Sequence, residues 1–382
     1  MHPHITRVLF LLSALYWLMA APAYAVTGPA SAISYLDADK HRQIFAFVRG
    51  NNAHLVANHF DGTSWQWTDH GLPVGATSIS HPVALTYVDS AGNRRIYVFA
   101  QANNHLVLRY WNGFVWQWVA QGGPAVFAEM SAITYVDSAG NRRIYLFAVD
   151  DDQSHLVVNY WDGSSWHWAD LGVPAPGAYC TNTAAVTYIG DDGQRKIDVF
   201  CRGGVSAGFP LYVDSWDGSG WQWTNHGGTD VGAVSAVTYL DSSGTRRVYA
   251  FVKVGSSDLY TNYWNGSSWL WANLGVPAGE ESSVLYEISA ITYPDGANQR
   301  LYAFTEFSNQ LFVKYWNGST WNWASQGLPA GHTYVTSPSA LTFLTTRGGS
   351  RRIYVFATGS NSDLVINYWN GSTWQWLDNG TL

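Results

Sequence analysis

Tryptophans recur in pairs along the chain at a spacing that never varies, within the pattern Gly-x-x-Trp-x-Trp-x-x-x-Gly. The pairs are Trp65/Trp67, Trp116/Trp118, Trp166/Trp168, Trp221/Trp223, Trp269/Trp271, Trp321/Trp323 and Trp374/Trp376. Six pairs have a further tryptophan just before the turn that precedes them: Trp111, Trp161, Trp216, Trp264, Trp316 and Trp369. A flat, rigid indole suits the apolar C–H face of a pyranose ring, and a neighbouring amide or guanidinium suits its hydroxyls. The pattern therefore indicates sugar binding.

Each tryptophan pair belongs to a predicted β-hairpin, of which residues 159–168 are typical. With a four-residue turn, Trp161 faces Trp166 and Asn159 faces Trp168 across the hairpin. Side chains two apart on a strand share a face, so these four side chains are expected to form one patch. Trp161 and Trp166 are nearest the turn and hence nearest the rim.

The polar member of this patch differs among the copies, so the sites are not expected to be equivalent. It is, in chain order, Asn58, Arg109, Asn159, Asp214, Asn262, Lys314 or Asn367. Copies with an asparagine and three tryptophans are the preferred ones. The candidate ligand-binding residues are Trp111, Trp161, Trp264, Trp316, Trp369, Trp166, Trp269, Trp374, Asn159, Asn262 and Asn367. Packing between repeats is the favoured interpretation of the second tryptophan of each pair, and for the turn-side tryptophans packing and exposure are both open.

The hairpins are part of a unit that is repeated seven times. The alanine that opens each unit recurs every 48 to 54 residues, and the units begin near residues 31, 83, 131, 184, 235, 289 and 339. In the third unit, runs rich in β-branched and aromatic residues predict strands at 132–136, 143–148, 155–161 and 166–170, with turn residues between them. Four short strands repeated seven times predict an all-β fold, a seven-bladed β-propeller of four-stranded antiparallel blades over residues 26–382. An open solenoid is the rival, but it would need atypical end units.

The fourth unit departs most from the others. Its second strand reads Lys196-Ile197-Asp198 and its third begins Phe209-Pro210-Leu211. It also holds both cysteines of the chain, Cys180 and Cys201. A disulfide between them is expected in an oxidising compartment, and two buried free thiols are the alternative.

Residues 1–25 are interpreted as a secretory signal peptide. The apolar run Val8–Ala20 is followed by a small-x-small cleavage site that ends at Ala25. An uncleaved anchor is the alternative. We therefore expect a secreted or periplasmic/extracellular protein with no membrane span.

Composition excludes several other classes of protein. Charged residues make up only 12% of the chain, which excludes a disordered or coiled-coil chain. A net charge of -7 offers no basic face for phosphates, so we expect no nucleic-acid partner. The histidines show no metal-ligand spacing, and no metal or other cofactor is expected.

A basic pair opens the second strand at Arg94-Arg95, Arg142-Arg143, Arg246-Arg247 and Arg351-Arg352. Stacking on aromatic rings or pairing with turn carboxylates is favoured for it over ligand binding.

The motif Tyr-Trp-Asn/Asp-Gly-x-x-Trp-x-Trp, with Ser-Ala-x-Thr-Tyr and Arg-Arg-x-Tyr-x-Phe upstream, resembles the PLL-type bacterial seven-bladed β-propeller lectins. The resemblance covers all seven units, for instance residues 263–271. It implies a secreted, multivalent, non-catalytic lectin with sites between blades for fucose or O-methylated sugars, whose partners are glycans on cell surfaces. The oligomeric state is left open, a homo-oligomer included.

Two other functions are considered. A propeller glycosidase needs two carboxylates at the hub. Glutamate occurs only at Glu129, Glu280, Glu281, Glu287 and Glu306, and most aspartates recur in turns. No unit carries an acid pair outside the repeat pattern that would require a catalytic role, so the sequence predicts no enzyme. In a structural or protein-interaction propeller, the tryptophans would all be buried.

Overall fold

The computed structural model describes residues 25–127, 129–204, 208–296, 298–345 and 349–378. These residues form 28 strands and no helix. Each run of four consecutive strands makes one antiparallel sheet, so the predicted seven-bladed β-propeller is confirmed. Because each blade is a simple up-and-down meander, its β-hairpin turns and short connections alone set the order of strands.

The strand bounds repeat from blade to blade. Blade 1 comprises β1 Val26–Leu36, β2 Arg42–Gly50, β3 Leu55–Phe60 and β4 Trp65–Gly71. Blade 2 comprises β5 Ile79–Val88, β6 Arg94–Ala102, β7 His105–Trp111 and β8 Trp116–Ala125. Blade 3 comprises β9 Ser131–Val136, β10 Arg142–Val149, β11 Leu156–Trp161 and β12 Trp166–Gly172. Blade 4 comprises β13 Tyr179–Ile189, β14 Arg195–Gly204, β15 Leu211–Trp216 and β16 Trp221–Gly227.

The remaining blades follow the same plan. Blade 5 comprises β17 Val231–Leu240, β18 Arg246–Val254, β19 Asp258–Trp264 and β20 Trp269–Gly275. Blade 6 comprises β21 Ile288–Asp295, β22 Asn298–Phe307, β23 Gln310–Trp316 and β24 Trp321–Gly327. Blade 7 comprises β25 Val335–Leu344, β26 Arg351–Gly359, β27 Leu364–Trp369 and β28 Trp374–Asp378.

The core lies between blades rather than within them. At one equivalent position, each blade has a completely buried phenylalanine: Phe47, Phe99, Phe147, Phe200, Phe251, Phe304 and Phe356. The first tryptophan of the next blade's pair meets each of these rings edge-on, with centroids 5.7 to 6.0 Å apart. The seventh such contact joins Trp65 of blade 1 to Phe356 of blade 7. The repeat therefore closes into a ring, which excludes the open solenoid.

The Ser-Ala-x-Thr-Tyr motif binds strands and blades together. The Ser131 hydroxyl accepts a hydrogen bond from the backbone N–H of Ala185 in the next blade, at 2.8 Å. Three other serine–alanine pairs do the same, Ser31–Ala84, Ser235–Ala290 and Ser289–Ala340. Within a blade, the Thr134 hydroxyl donates to the carbonyl of Arg143. These polar side chains hold the inner strands in register near the hub.

The repeated basic pairs are structural, as favoured from the sequence. In three of the four pairs, the second arginine pairs with an aspartate of the turn before it, as Arg143 does with Asp137 at 2.8 Å. The first arginine stacks on an aromatic ring of the preceding blade, as Arg142 does on Tyr87 at 4.5 Å from the ring centroid. These contacts occupy the guanidinium groups within the propeller itself.

Several inner strands begin earlier than the sequence predicts. β1, β5, β13 and β25 each contain a β-bulge near their start. The bulge holds a residue with a left-handed backbone: Gly28, His81, Asn182 or Ser337. A bulge breaks the two-residue alternation from which strands are predicted, so the pattern stops at the bulge although the pairing continues towards the hub.

Cys180 and Cys201 form a disulfide between the neighbouring strands β13 and β14, with Cα atoms 5.7 Å apart. Both residues are fully buried.

The cysteines are separated by 21 residues, and closing a loop of that size stabilises a chain by about 3 kcal/mol. We expect the double variant Cys180→Ala/Cys201→Ala to lose roughly this much unfolding free energy in a denaturant titration. Wild-type protein treated with a reductant is the control and should lose a similar amount; equal midpoints for all three samples would contradict the bond.

The proposed signal peptide, apart from its last residue, lies outside the described residues. Within the described ranges, no helix is long and apolar enough to cross a membrane.

Candidate functional site

The register of the outer hairpins is the one expected from the turn length. In blade 3, Trp161 lies opposite Trp166 and Asn159 lies opposite Trp168. The Trp161 and Trp166 ring centroids are 5.7 Å apart. Asp162 fixes the turn, because its Oδ1 accepts hydrogen bonds from two backbone N–H groups. The same pairing holds in blades 2, 5, 6 and 7 for the other predicted tryptophans.

The second tryptophan of each pair ties its blade to the one before. The indole N–H of Trp168 donates to the carbonyl of Gln121, at 2.9 Å. Trp118, Trp223, Trp271, Trp323 and Trp376 make the corresponding inter-blade bond at 2.8 to 3.2 Å. These tryptophans therefore have a packing role, as favoured from the sequence.

All twenty tryptophans from Trp65 onwards are half-buried, and none is fully buried. Trp264, Trp269, Trp369 and Trp374 line open clefts between blades. Part of the aromatic surface in these grooves is therefore open to solvent.

The asparagines of the predicted patch lie behind the tryptophans, at 0–1% exposure. Their amide N–H groups donate across the hairpin, as Asn159 does to the carbonyl of His167 at 3.3 Å. The Oδ1 atoms differ. In blade 5, His226 Nδ1 lies 2.7 Å from Asn262 Oδ1, whereas Oδ1 of Asn159 and of Asn367 has no partner among the described residues. A buried, unpaired amide oxygen is costly unless a ligand or water donates to it.

One open cleft of about 580 Å³ lies between blades 6 and 7. Blade 7 contributes four members of the predicted patch, Asn367, Trp369, Trp374 and Trp376. Blade 6 contributes Tyr302, Tyr315 and the segment 324–326 of its outer strand. Indole rings, phenol rings and the Asn367 side chain thus line the same space.

A second cleft, of about 370 Å³, lies between blades 4 and 5. It is lined by Trp264 and Trp269 of blade 5 and by Tyr188, Asp198 and Ser215 of blade 4. The Asp198 carboxylate accepts hydrogen bonds from the hydroxyls of Tyr188 and Ser215, both at 2.8 Å. Burial raises the pKa of Asp198.

Beside this second cleft, blade 4 lacks a stack of rings that is found in other blades. In blade 3, Tyr135, Tyr145 and Tyr160 stack across the sheet with centroids 5.7 to 5.9 Å apart; we call this stack the tyrosine ladder. Blade 4 has Asp198 and Ser215 in place of the second and third rings. The sequence flagged Asp198 as a departure, but its consequence is visible only when the ladder faces Trp264 and Trp269 of the next blade.

The ring also encloses a hub cavity of about 680 Å³, lined by residues of all seven blades. Glu129 and Glu287 line this cavity, and burial raises the pKa of both. Ser337 lies between Glu287 and Glu306, its hydroxyl 3.4 Å from Glu287 Oε1 and its backbone N 3.4 Å from Glu306 Oε1. Burial, reinforced by the charge of Glu287, raises the pKa of Glu306 to about 8. Glu287 and Glu306 thus form an acid pair beside the hub, next to the paired residues Ile288 and Thr305 of the β21–β22 hairpin; the sequence analysis did not bring these two residues together.

Comparisons with solved structures place the chain among β-propeller lectins in fold. BP39L lectin from Burkholderia pseudomallei is 17% identical, with a TM-score of 0.69 over 94% of this chain and 99% of that one. Aleuria aurantia lectin in complex with α-methyl-L-fucoside is 16% identical, with a TM-score of 0.56 over 94% and 99%; it is described as six-bladed with a novel fucose recognition mode. AofleA from Arthrobotrys oligospora is 12% identical, with a TM-score of 0.52 over 94% and 89%. At these identities the likeness establishes the fold. No protein-family model matches the chain, and no curated protein matches its sequence.

Proposed function

We propose that the protein is a secreted, multivalent lectin that binds monosaccharide units in the grooves between its blades. The observation that carries the proposal is the blade 6–7 cleft, where half-buried indoles of blade 7 and phenol rings of blade 6 line one open space. Its volume of about 580 Å³ is within the range of small-molecule sites. An indole accepts the C–H face of a sugar, while the phenol hydroxyls and backbone groups that line the cleft are partners for its hydroxyls.

Fucose and O-methylated sugars are the ligands we propose. Both carry a methyl group that is better placed against an aromatic wall than in water. The lectin of Aleuria aurantia, which shares the fold, is seen with a methyl fucoside, and the motifs resemble those of PLL-type lectins. Several weak sites on one ring bind a glycan-coated cell surface tightly through avidity.

We also propose that the protein is exported and that its signal peptide is cleaved after Ala25. N-terminal sequencing of the extracellular protein tests this.

Truncation of one cleft indole tests the site. We expect Trp369→Ala to weaken sugar binding in the blade 6–7 cleft by roughly tenfold to a hundredfold, because the ligand loses its stacking surface. Isothermal titration with methyl α-L-fucoside, after a glycan array has identified the preferred sugar, measures the loss. Because Trp369 contributes to one groove only, the number of remaining sites should fall by one.

The matched control is Gln375→Ala. Gln375 lies between Trp374 and Trp376 on β28, but its exposed side chain points to the opposite face of the strand. This variant should bind as the wild type does. Equal loss in both variants would assign the effect to the fold, and unchanged binding in Trp369→Ala would contradict the site.

Two outcomes would replace the lectin by another function. Tryptophan fluorescence that responds to no sugar on the array would favour a protein-interaction propeller. Turnover of fluorogenic glycosides, abolished by Glu306→Gln or Glu287→Gln, would favour a glycosidase acting at the hub cavity.

A further inference from the structure

A histidine–aspartate pair closes the outer edge of two blades. It joins the residue at or just before the start of the third strand to the fifth residue of the fourth strand. In blade 1, His54 Nδ1 lies 2.9 Å from Asp69 Oδ2, and in blade 3, His155 Nδ1 lies 2.9 Å from Asp170 Oδ2. At this distance the two groups bond directly, so nothing fits between them.

Blade 7 breaks this pattern by placing an aspartate at both positions. Asp363 replaces the histidine, and Asp378 stands at the usual aspartate position. Asp363 is buried, whereas the Asp378 side chain is 36% exposed. Two facing carboxylates repel each other unless a cation lies near both.

A histidine from a different part of the fold joins the two carboxylates. His332 lies in the connection from β24 to β25, where its backbone N–H donates to the carbonyl of Pro329. Its Nε2 is 3.5 Å from Asp378 Oδ2 and 3.9 Å from Asp363 Oδ2. The three donor atoms lie within 4.8 Å of one another.

The surrounding residues hold the His332 imidazole in place. The His332 side chain is 1% exposed, and its Nδ1 has no hydrogen-bond partner among the described residues. It packs over Gly359, where a Cβ atom would overlap the ring. The structure thus aims a nearly buried nitrogen at two carboxylates without bringing it as close as in the direct pairs of blades 1 and 3.

We propose that His332, Asp363 and Asp378 bind a divalent cation of the zinc class. Zinc binds histidine nitrogen and carboxylate oxygen at about 2.0–2.2 Å, so two of its donors in tetrahedral geometry lie roughly 3.4 Å apart. The separation of 3.5 Å between His332 and Asp378 matches this value. One imidazole and two carboxylates make a neutral site with a divalent ion, and the exposed side of Asp378 leaves a fourth position for water.

The cation would stabilise the last blade. It would tie β28 and the turn between β26 and β27 to the connection that leads from blade 6 into blade 7. The N–H of Val26 donates to the carbonyl of Ser362, next to Asp363, so the same turn also contacts the first blade.

Zinc chloride titrated into the untagged, chelator-treated protein tests the proposal. We expect one equivalent to bind and to raise the melting temperature of the wild type. Asp378→Asn should weaken binding at least tenfold and lose the thermal shift. Asp170→Asn, at the equivalent position of blade 3, is the matched control and should bind zinc as the wild type does.

Other outcomes are equally decisive. Failure of the wild type to bind zinc, manganese or calcium would overturn the proposal, as would binding that survives Asp378→Asn or falls equally in Asp170→Asn. Circular dichroism checks the fold of each variant. If Asp378→Asn does not fold, His332→Gln and Asp363→Asn carry the same comparison, and sugar titration in the presence of a chelator separates this site from the lectin grooves.

Discussion

Replacing Glu306 by glutamine is expected to stabilise the protein above neutral pH. The Glu306 carboxyl is 4% exposed, and its Oε2 has no hydrogen-bond partner among the described residues. Burial and the neighbouring Glu287 raise its pKa from 4.5 to about 8. In the folded protein this group therefore keeps its proton at pH values where the unfolded chain has released it.

The sign of the pH dependence follows from this difference. Below about pH 4.5 both states are protonated, and Glu306 contributes no pH dependence. Between pH 4.5 and 8 the folded state binds the extra proton, so stability falls as pH rises, by about 1.4 kcal/mol per pH unit at most. Above pH 8 the charged carboxylate is present in both states, and the loss is complete.

Glutamine keeps the shape of the protonated acid but cannot ionise. Glu306→Gln should therefore gain about 3–5 kcal/mol over the wild type near pH 8 and almost nothing near pH 4.5. Urea unfolding at several pH values measures this, with a small residual slope from Glu287, whose pKa is also raised. Glu281→Gln, an exposed acid outside the cavity whose pKa is lowered by backbone hydrogen bonds, is the control and should leave the fall between pH 5 and 8 unchanged. A wild-type stability that stays flat or rises between pH 5 and 8 would contradict the assignment.

The ring could be predicted because its information is local and repeated seven times. Turn length alone fixed the register of Trp161 with Trp166, and the invariant spacing of the tryptophans gave the number of blades. Neither required knowledge of contacts between units. Packing of Trp65 on Phe356 then follows from closure of the ring.

Groups that combine residues from different units could not be predicted. Glu287 and Glu306 lie next to the paired residues Ile288 and Thr305 of one hairpin, but Ser337, which contacts both carboxylates, comes from the next blade. His332, Asp363 and Asp378 have no ligand spacing along the chain, since the turns of blade 7 bring them together. Such long-range groupings leave no periodic signal in a single sequence.

The blade 4–5 cleft tests why the proposed sugar sites differ from one pair of blades to the next. Asp198 and Ser215 occupy the positions of Tyr145 and Tyr160 in the tyrosine ladder, and their small side chains leave the cleft open beside Trp264. The double variant Asp198→Tyr/Ser215→Tyr restores the ladder. Two phenol rings would then fill the space in front of Trp264, as the ladder of blade 2 does in front of Trp166, which lies 6.3 Å from Tyr97.

We expect this variant to weaken sugar binding at Trp264 by roughly tenfold or more, because the rings fill the space beside Asp198 and Ser215. They leave the outer part of the groove open, as Tyr302 and Tyr315 do in the blade 6–7 cleft. Binding in the blade 6–7 cleft should persist, since Trp369 lies elsewhere on the ring. Stability should rise by roughly 1–3 kcal/mol, because a buried carboxyl with a raised pKa is replaced by stacked aromatic surface. Trp264→Ala in the wild-type background is the companion variant: it should remove the same site without filling it. Sugar titration counts the sites in each protein, and a full complement in the double variant would show that the vacated space of blade 4 is not where the ligand binds.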